Sequence, residues 1–287
     1  MSEEHFYEDG VMQVVIDSNM MQSAELFEYL SDGANVAVLP DYVWAECYKQ
    51  QSLVAVQSFL SVVRYFPDQI AVLRSGKQIA GFDPRTTRFP KAFELENVPT
   101  DLRAMETAVD QATAGAAAVL AQLREQWDAA TATMDDMLQG AEEDILPSLP
   151  ELASMFTADE LGRCRRKEKY TPAMTEKVFG TAFGIYEHLV EIDPRVPLLP
   201  PRHAVETFYY RFALGAMLHC IWWIRNGSQS ISKTERLRND YVDLGLASCA
   251  TYYDGFMTND TKAAWLHNEL ANALKFAQAE AAAHSSR

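Results

Sequence analysis

Short apolar bursts and long apolar stripes alternate along this chain, and the change from one to the other divides it. Residues 11–16 form a burst closed by Asp17, and residues 35–39 a second closed by Pro40-Asp41, so both predict buried strands. Between them, residues 20–30 place Leu26, Phe27 and Leu30 at helical spacing, which predicts a helix with those three facing inward. Pro40-Asp41 opens a further helix from Tyr42, with Val43, Trp44 and Cys47 toward the core. A third strand is predicted over residues 69–73, bounded by Pro67-Asp68 and Ser75-Gly76. This β-α-β-α-β order predicts a parallel, doubly wound sheet.

The period then lengthens. Residues 80–99 are punctuated by Pro and Gly and predict a loop. From 101 to 143, Leu102, Met105, Val109, Ala112, Ala116, Val119, Leu123, Trp127, Ala130, Met134 and Met137 recur every three or four residues. That stripe predicts one long helix, interrupted only by Gly115, packing on its own domain or serving as a seam for a protein partner or second copy. Further helices are predicted over 151–161, 175–191 and 204–225, the last two separated by a stiff connector carrying Pro194, Pro197, Pro200 and Pro201. The mixed pattern returns with a helix over 233–253, a strand at 256–257 and a helix over 262–282. The expected class is α/β, a doubly wound parallel sheet built from both chain ends. Residues 1–78 and 231–287 form this core, and 79–230 a large all-α insertion.

Hydrophobic residues make up 48% of the chain, which excludes global disorder. Met1-Ser2-Glu3-Glu4-His5 lacks the basic-then-apolar order of a secretory leader, and the longest apolar stretch, 212–224, is too short to span a bilayer. The four cysteines are scattered without zinc spacing. A cytoplasmic protein without membrane association is therefore expected. A net charge of −15 argues against broad attraction to nucleic acid, although an acidic metal centre would itself contribute part of that charge.

The acids sit at telling places. Val14-Val15-Ile16-Asp17-Ser18-Asn19 ends the first strand in a carboxylate, and Glu46 lies early on the helix after the second. More than two hundred residues later come Asn239-Asp240-Tyr241-Val242-Asp243 and Gly255-Phe256-Met257-Thr258-Asn259-Asp260. In this order and on these elements the two ends resemble the PIN-domain nucleases, over roughly the first seventy and last sixty residues. The chain departs from that family in its long helical insertion and in its third acid, where Asp240 and Asp243 compete.

The resemblance implies a PIN-like fold and hydrolysis of phosphodiesters, RNA ahead of DNA, with a toxin or defence role as the secondary expectation. It implies catalysis by Asp17, Glu46, Asp240, Asp243 and Asp260. Asp17, Glu46, Asp243 and Asp260 would hold Mg²⁺ or Mn²⁺, whose hard character suits carboxylate oxygens and which would stabilise the charge of the transition state. Ser18, Asn19 and Thr258 would hydrogen-bond carboxylates, water or phosphate.

Each acid also has an ordinary structural reading. Asp17 would cap a helix, Glu46 would be a solvated helix residue, Asp243 would serve a helix dipole, and Thr258-Asn259-Asp260 would cap the final helix. Basic residues that would meet a nucleic-acid backbone are Arg163, Arg165, Arg166, Lys167 and Lys169, then Lys233, Arg236 and Arg238, and more weakly Arg85, Arg88 and Lys91. Tyr209, Tyr210, Trp222 and Trp223 read as core, and His203 and His219 as core or rim. Two rival functions stand beside the nuclease. One is a haloacid-dehalogenase-like phosphatase, which usually needs an Asp where Asn19 stands. The other is a non-catalytic PIN-like adaptor that docks through its helical insertion.

Overall fold

The computed structural model of the chain describes residues 10–48, 51–140, 146–228 and 234–285, without the side chains of 133–140, 146–147, 234–238 and 280–285. Lys233 lies outside the described residues, as do the side chains of Met134, Met137, Arg236 and Arg238.

The fold is mixed α/β and divides into two compact units. The first comprises Met1–Arg74, Phe93–Thr133 and Tyr252–Asn259. It holds strands β1 (Met12–Ile16), β2 (Asn35–Leu39) and β3 (Ile70–Val72), with helices α1 (Ala24–Leu30), α2 (Asp41–Tyr48) and α3 (Leu53–Val63) along the connections. The strands pair in parallel, with Val15 opposite Val38 and Val38 opposite Ala71. Val15, Ile16, Ala37, Val38 and Leu39 are fully buried, as expected of strands covered on both faces.

A second unit gathers Ser75–Ala92, Met134–Thr251 and Asp260–Arg287. It opens with α4 (Gly76–Ala80), and the chain then returns to the first unit for α5 (Val98–Thr113) and for α6 (Ala117–Gly140) as far as Thr133. The remaining helices of the second unit are α7 (Leu146–Ser154), α8 (Ala158–Arg165), α9 (Pro172–Ile192), α10 (Pro201–Ala204), α11 (Phe208–Arg225), α12 (Thr234–Ala250) and α13 (Thr261–Ser285). The apolar α11 is central, packing on α9, α12 and α13. At Gly215 it approaches α12 so closely that a Cβ would stand 2.5 Å from Leu244 Cδ1. Strand β4 (Gly255–Met257) completes the sheet of the first unit beside β1, in the order β3-β2-β1-β4, all parallel. Both chain ends thus contribute to one sheet.

Several expected elements differ. The 101–143 stripe is two helices, α5 and α6, because Gly115 takes φ +94, a left-handed conformation that ends a helix. Gly115→Ala is expected to lower stability by roughly 1 kcal/mol, read as a shift of the urea midpoint at unchanged slope. Residues 151–161 likewise straddle a break. Thr157 accepts from the Glu160 N–H while the Glu160 carboxylate accepts from the Thr157 N–H, a capping box that starts α8. Thr207 caps α11 and cuts it from α10. The first helix begins later than expected, after the 3₁₀ turn Ser18–Met20. Leu26 and Leu30 are buried, but Phe27 is 46% exposed and meets Tyr65 and Phe66 edge-on instead of joining the core. Among the described residues no helix is long and apolar enough to cross a membrane.

Candidate active site

Strand β1 stops at Asp17, whose N–H still donates to Met257 O at 3.0 Å and so extends the ladder with β4 by one bond. The chain reverses direction across the sheet at this place, since β2 and β3 lie to one side of β1 and β4 to the other. Carboxyl ends of strands at such a switch point frame the crevice where open α/β sheets bind their ligands. Asp17 and Thr258 flank it, and Glu46 approaches from α2.

Asp17 is only 6% exposed. It precedes the 3₁₀ turn without a capping bond of good geometry, although the N–H groups of Ser18 and Asn19 lie near enough to favour its ionised form. Side chains hold it more closely. Asn19 Nδ2 and Thr258 Oγ1 each donate to Oδ2 at 2.6 Å, and the Asn259 N–H holds Asn19 in turn through Oδ1 at 3.1 Å. The other oxygen, Oδ1, meets the Ser18 hydroxyl at 3.4 Å, and that hydroxyl donates to Glu46 Oε2. One proton therefore lies between two carboxylates, on the side of Asp17 that faces Glu46. Burial is the main cause that raises the Asp17 carboxyl above its ordinary value. The Thr258 hydrogen bond opposes it, and the charge of Glu46 adds to it.

The second unit carries its own cluster. Asp240 and Asp243 lie three residues apart on α12, both largely buried, and the ammonium of Lys262 bridges them, with Nζ 2.8 Å from Asp243 Oδ2 and in contact with Asp240 Oδ1. His219 Nε2 stands 3.4 Å from the other Asp240 oxygen. Burial alone would push the Asp240 carboxyl up, but the hydrogen bond and charge of His219, then the charge of Lys262, hold it below its ordinary value. Lys262 is depressed by burial and raised on balance by Asp243 and Asp240. Asp260 Oδ1 accepts from the Lys262 and Ala263 N–H groups at 2.7 and 2.9 Å, the helix-capping role its position allows. Among the described residues, no three His, Cys, Asp or Glu side chains are grouped so as to hold a metal ion between them.

Lys262 is the residue that the sequence reading missed. Its signal was electrostatic, because a lysine in the first turn of α13 meets the positive end of the helix and is misplaced unless acids receive it. His219, read as core or rim, is buried against Asp240. Within the basic run, Arg163 and Arg166 both pair with Glu168, at 3.1 and 2.6 Å, whereas Arg165, Lys167 and Lys169 are exposed. Arg85 is held by Asp83 at 2.7 Å. Tyr210 is buried, Tyr209 donates to Asp193 at 2.9 Å, and Trp222 packs at a tilt against Trp265, so these aromatics serve packing. Comparison with protein-family models, with curated proteins and with solved structures gives no match for this chain.

Proposed function

We propose that this chain is a divalent-metal-dependent nuclease of PIN-like fold, acting on RNA ahead of DNA, with Asp17 and Glu46 as the acids at its sheet. The observation that carries this reading is the buried Asp17 carboxylate at the switch point, which is anchored through Oδ2 and turns Oδ1 toward Glu46. The donor set fits Mg²⁺ or Mn²⁺, being hard oxygens with a neighbouring hydroxyl, and a dication would offset the repulsion that Glu46 exerts on Asp17.

When bound, such an ion would act as a Lewis acid and raise the acidity of a water. The protein's own groups have separate duties. Asn19 and Thr258 fix the Asp17 rotamer, Ser18 orients Glu46, and the exposed Arg165, Lys167 and Lys169 would receive phosphates. Asp260 enters the reading through the family resemblance, whereas Asp240 and Asp243, which the resemblance also implies, are held by Lys262. A toxin or defence role goes with it.

The rival reading, a non-catalytic scaffold, draws support from Lys262, which already bridges two of the expected acids. Labelled RNA, single-stranded DNA and double-stranded DNA, each with Mn²⁺, Mg²⁺ or EDTA, separate the two. RNA is expected to be cut only with a divalent ion, and Asp17→Asn and Asp260→Asn are each expected to abolish that cleavage with the fold retained. Intact RNA under every condition would leave the scaffold reading.

A further inference from the structure

We infer that Lys262 is a tethered cation which holds the Asp240–Asp243 pair in place of a divalent metal ion. The inference rests on the nuclease reading only in taking these two acids as candidate ligands. Its ground is geometric. The ammonium contacts one oxygen of each carboxylate, Asp243 Oδ2 at 2.8 Å and Asp240 Oδ1, where an ion shared by the pair would also have to sit. Mg²⁺ takes its ligands at about 2.0–2.1 Å and in six directions, so ammonium and ion exclude one another between the same two oxygens. His219 Nε2 faces the remaining oxygen of Asp240 at 3.4 Å, which leaves that carboxylate bounded by nitrogen on both sides.

The placement of the lysine argues the same way. Lys262 is the second residue of α13, at the positive end of the helix, where Asp260 already caps the N–H groups, so the helix gives no reason for a cation there. The acids do. All three side chains are largely buried, with 19% of Lys262 and 17% and 14% of Asp240 and Asp243 exposed. A buried ammonium needs partners and buried carboxylates need a countercharge, and each supplies the other. Removal of the ammonium takes a positive charge from between Asp240 Oδ1 and Asp243 Oδ2, the position that a harder, doubly charged ion would take up.

The test counts Mn²⁺ on the full chain by isothermal titration and by the loss of the free-ion electron paramagnetic signal. Wild type, Asp243→Asn, Lys262→Met and the Lys262→Met/Asp243→Asn double variant are compared, with circular dichroism as the control for folding. Lys262→Met is expected to bind one Mn²⁺ per chain more than wild type, and the double variant to lose it again. Asp243→Asn alone is expected to leave the wild-type count unchanged. Equal counts in wild type and Lys262→Met, or a lower count in Asp243→Asn, would overturn the inference. Should Lys262→Met not fold, the Asp243→Asn comparison decides alone, an unchanged count supporting the inference and a fall overturning it. The outcomes also separate the two readings. A wild type without Mn²⁺ beside a Lys262→Met that gains it would sink the metal-dependent nuclease and leave the tethered cation standing.

Discussion

Asp17→Asn is expected to lose metal-dependent cleavage and yet to melt above the wild-type chain in metal-free buffer at neutral pH. Loss of cleavage should exceed the roughly 10–100-fold that follows removal of a group which only orients a ligand. The gain in stability follows from the environment of the carboxylate. Asp17 is buried, and the charge of Glu46 beside it disfavours its ionised form. An amide keeps an acceptor for Asn19 and Thr258 and turns its N–H₂ toward Ser18 and Glu46, so a repulsive contact becomes a hydrogen bond. At this size each kcal/mol gained should raise Tm by roughly 2–4 °C.

The sign of the pH dependence follows from the same shift. The folded chain holds the Asp17 proton more tightly than the unfolded chain, whose carboxyl has the ordinary value of 3.8. As pH rises from 3.8 through the raised folded value, the folded state binds more protons than the unfolded state, and metal-free stability falls. Below that window the effect is absent, and above it the full penalty remains. The difference in Tm between Asp17→Asn and wild type should therefore open as pH climbs through the window and then level off. Saturating Mn²⁺ should raise the Tm of wild type and leave that of Asp17→Asn unmoved, because ligation stabilises only a state that binds. A variant that melts below wild type at every pH would mean that the carboxylate serves the fold, as a cap or a structural acceptor.

What the sequence made legible, and what it hid, follows the physics of each signal. Strands β1 and β2 lie within a residue of their expected bounds because a strand buried on both faces must be apolar throughout, and Asp17 and Pro40 end the runs sharply. Gly115 was legible as an interruption but not as the end of a helix, and the break at Thr157 was not legible at all, for the opposite reason. Gly115 and Thr157 fall where the apolar period continues, and a period measures which face is covered, not whether the backbone turns. Phe27 has the spacing of a core residue, but Tyr65 and Phe66, distant in sequence, gave it an edge-on place at the surface. At the site, the acids stood out because carboxylates after apolar runs are rare without cause. Lys262 did not, since a lysine near a helix start reads as solvated until its partners, twenty residues earlier on another helix, are known.

Phe93→Ala is expected to have the largest effect on folding, about 3–5 kcal/mol, which is the range for removing a fully buried aromatic ring. Phe93 is 1% exposed, and its ring meets that of Tyr252 at right angles with 4.8 Å between centroids. Its backbone closes the edge of the sheet. Phe93 O accepts from the Arg74 N–H at 2.7 Å, Leu73 pairs with Glu94 in an antiparallel bridge, and the Leu95 N–H donates to Val72 O at 2.8 Å. The segment therefore covers β3, which would otherwise present unpaired groups, and seats Tyr252 at the point where the chain re-enters the sheet three residues before β4. Thr258, which positions Asp17, hangs from that same strand, so the cavity left by the ring should loosen the candidate site along with the core. Urea unfolding measures the first effect. Phe93→Leu, nearly conserving volume, should cost under about 1.5 kcal/mol. A double-mutant cycle of Phe93→Leu with Tyr252→Leu should return a coupling of about 0.5–1.5 kcal/mol for the ring pair. The second effect is read through Mn²⁺: Phe93→Ala should weaken the ion's stabilisation of the chain, and Phe93→Leu should preserve it. Undiminished Mn²⁺ stabilisation in Phe93→Ala would show that Thr258 keeps its place beside Asp17 without the ring, and the link from core to site would be wrong.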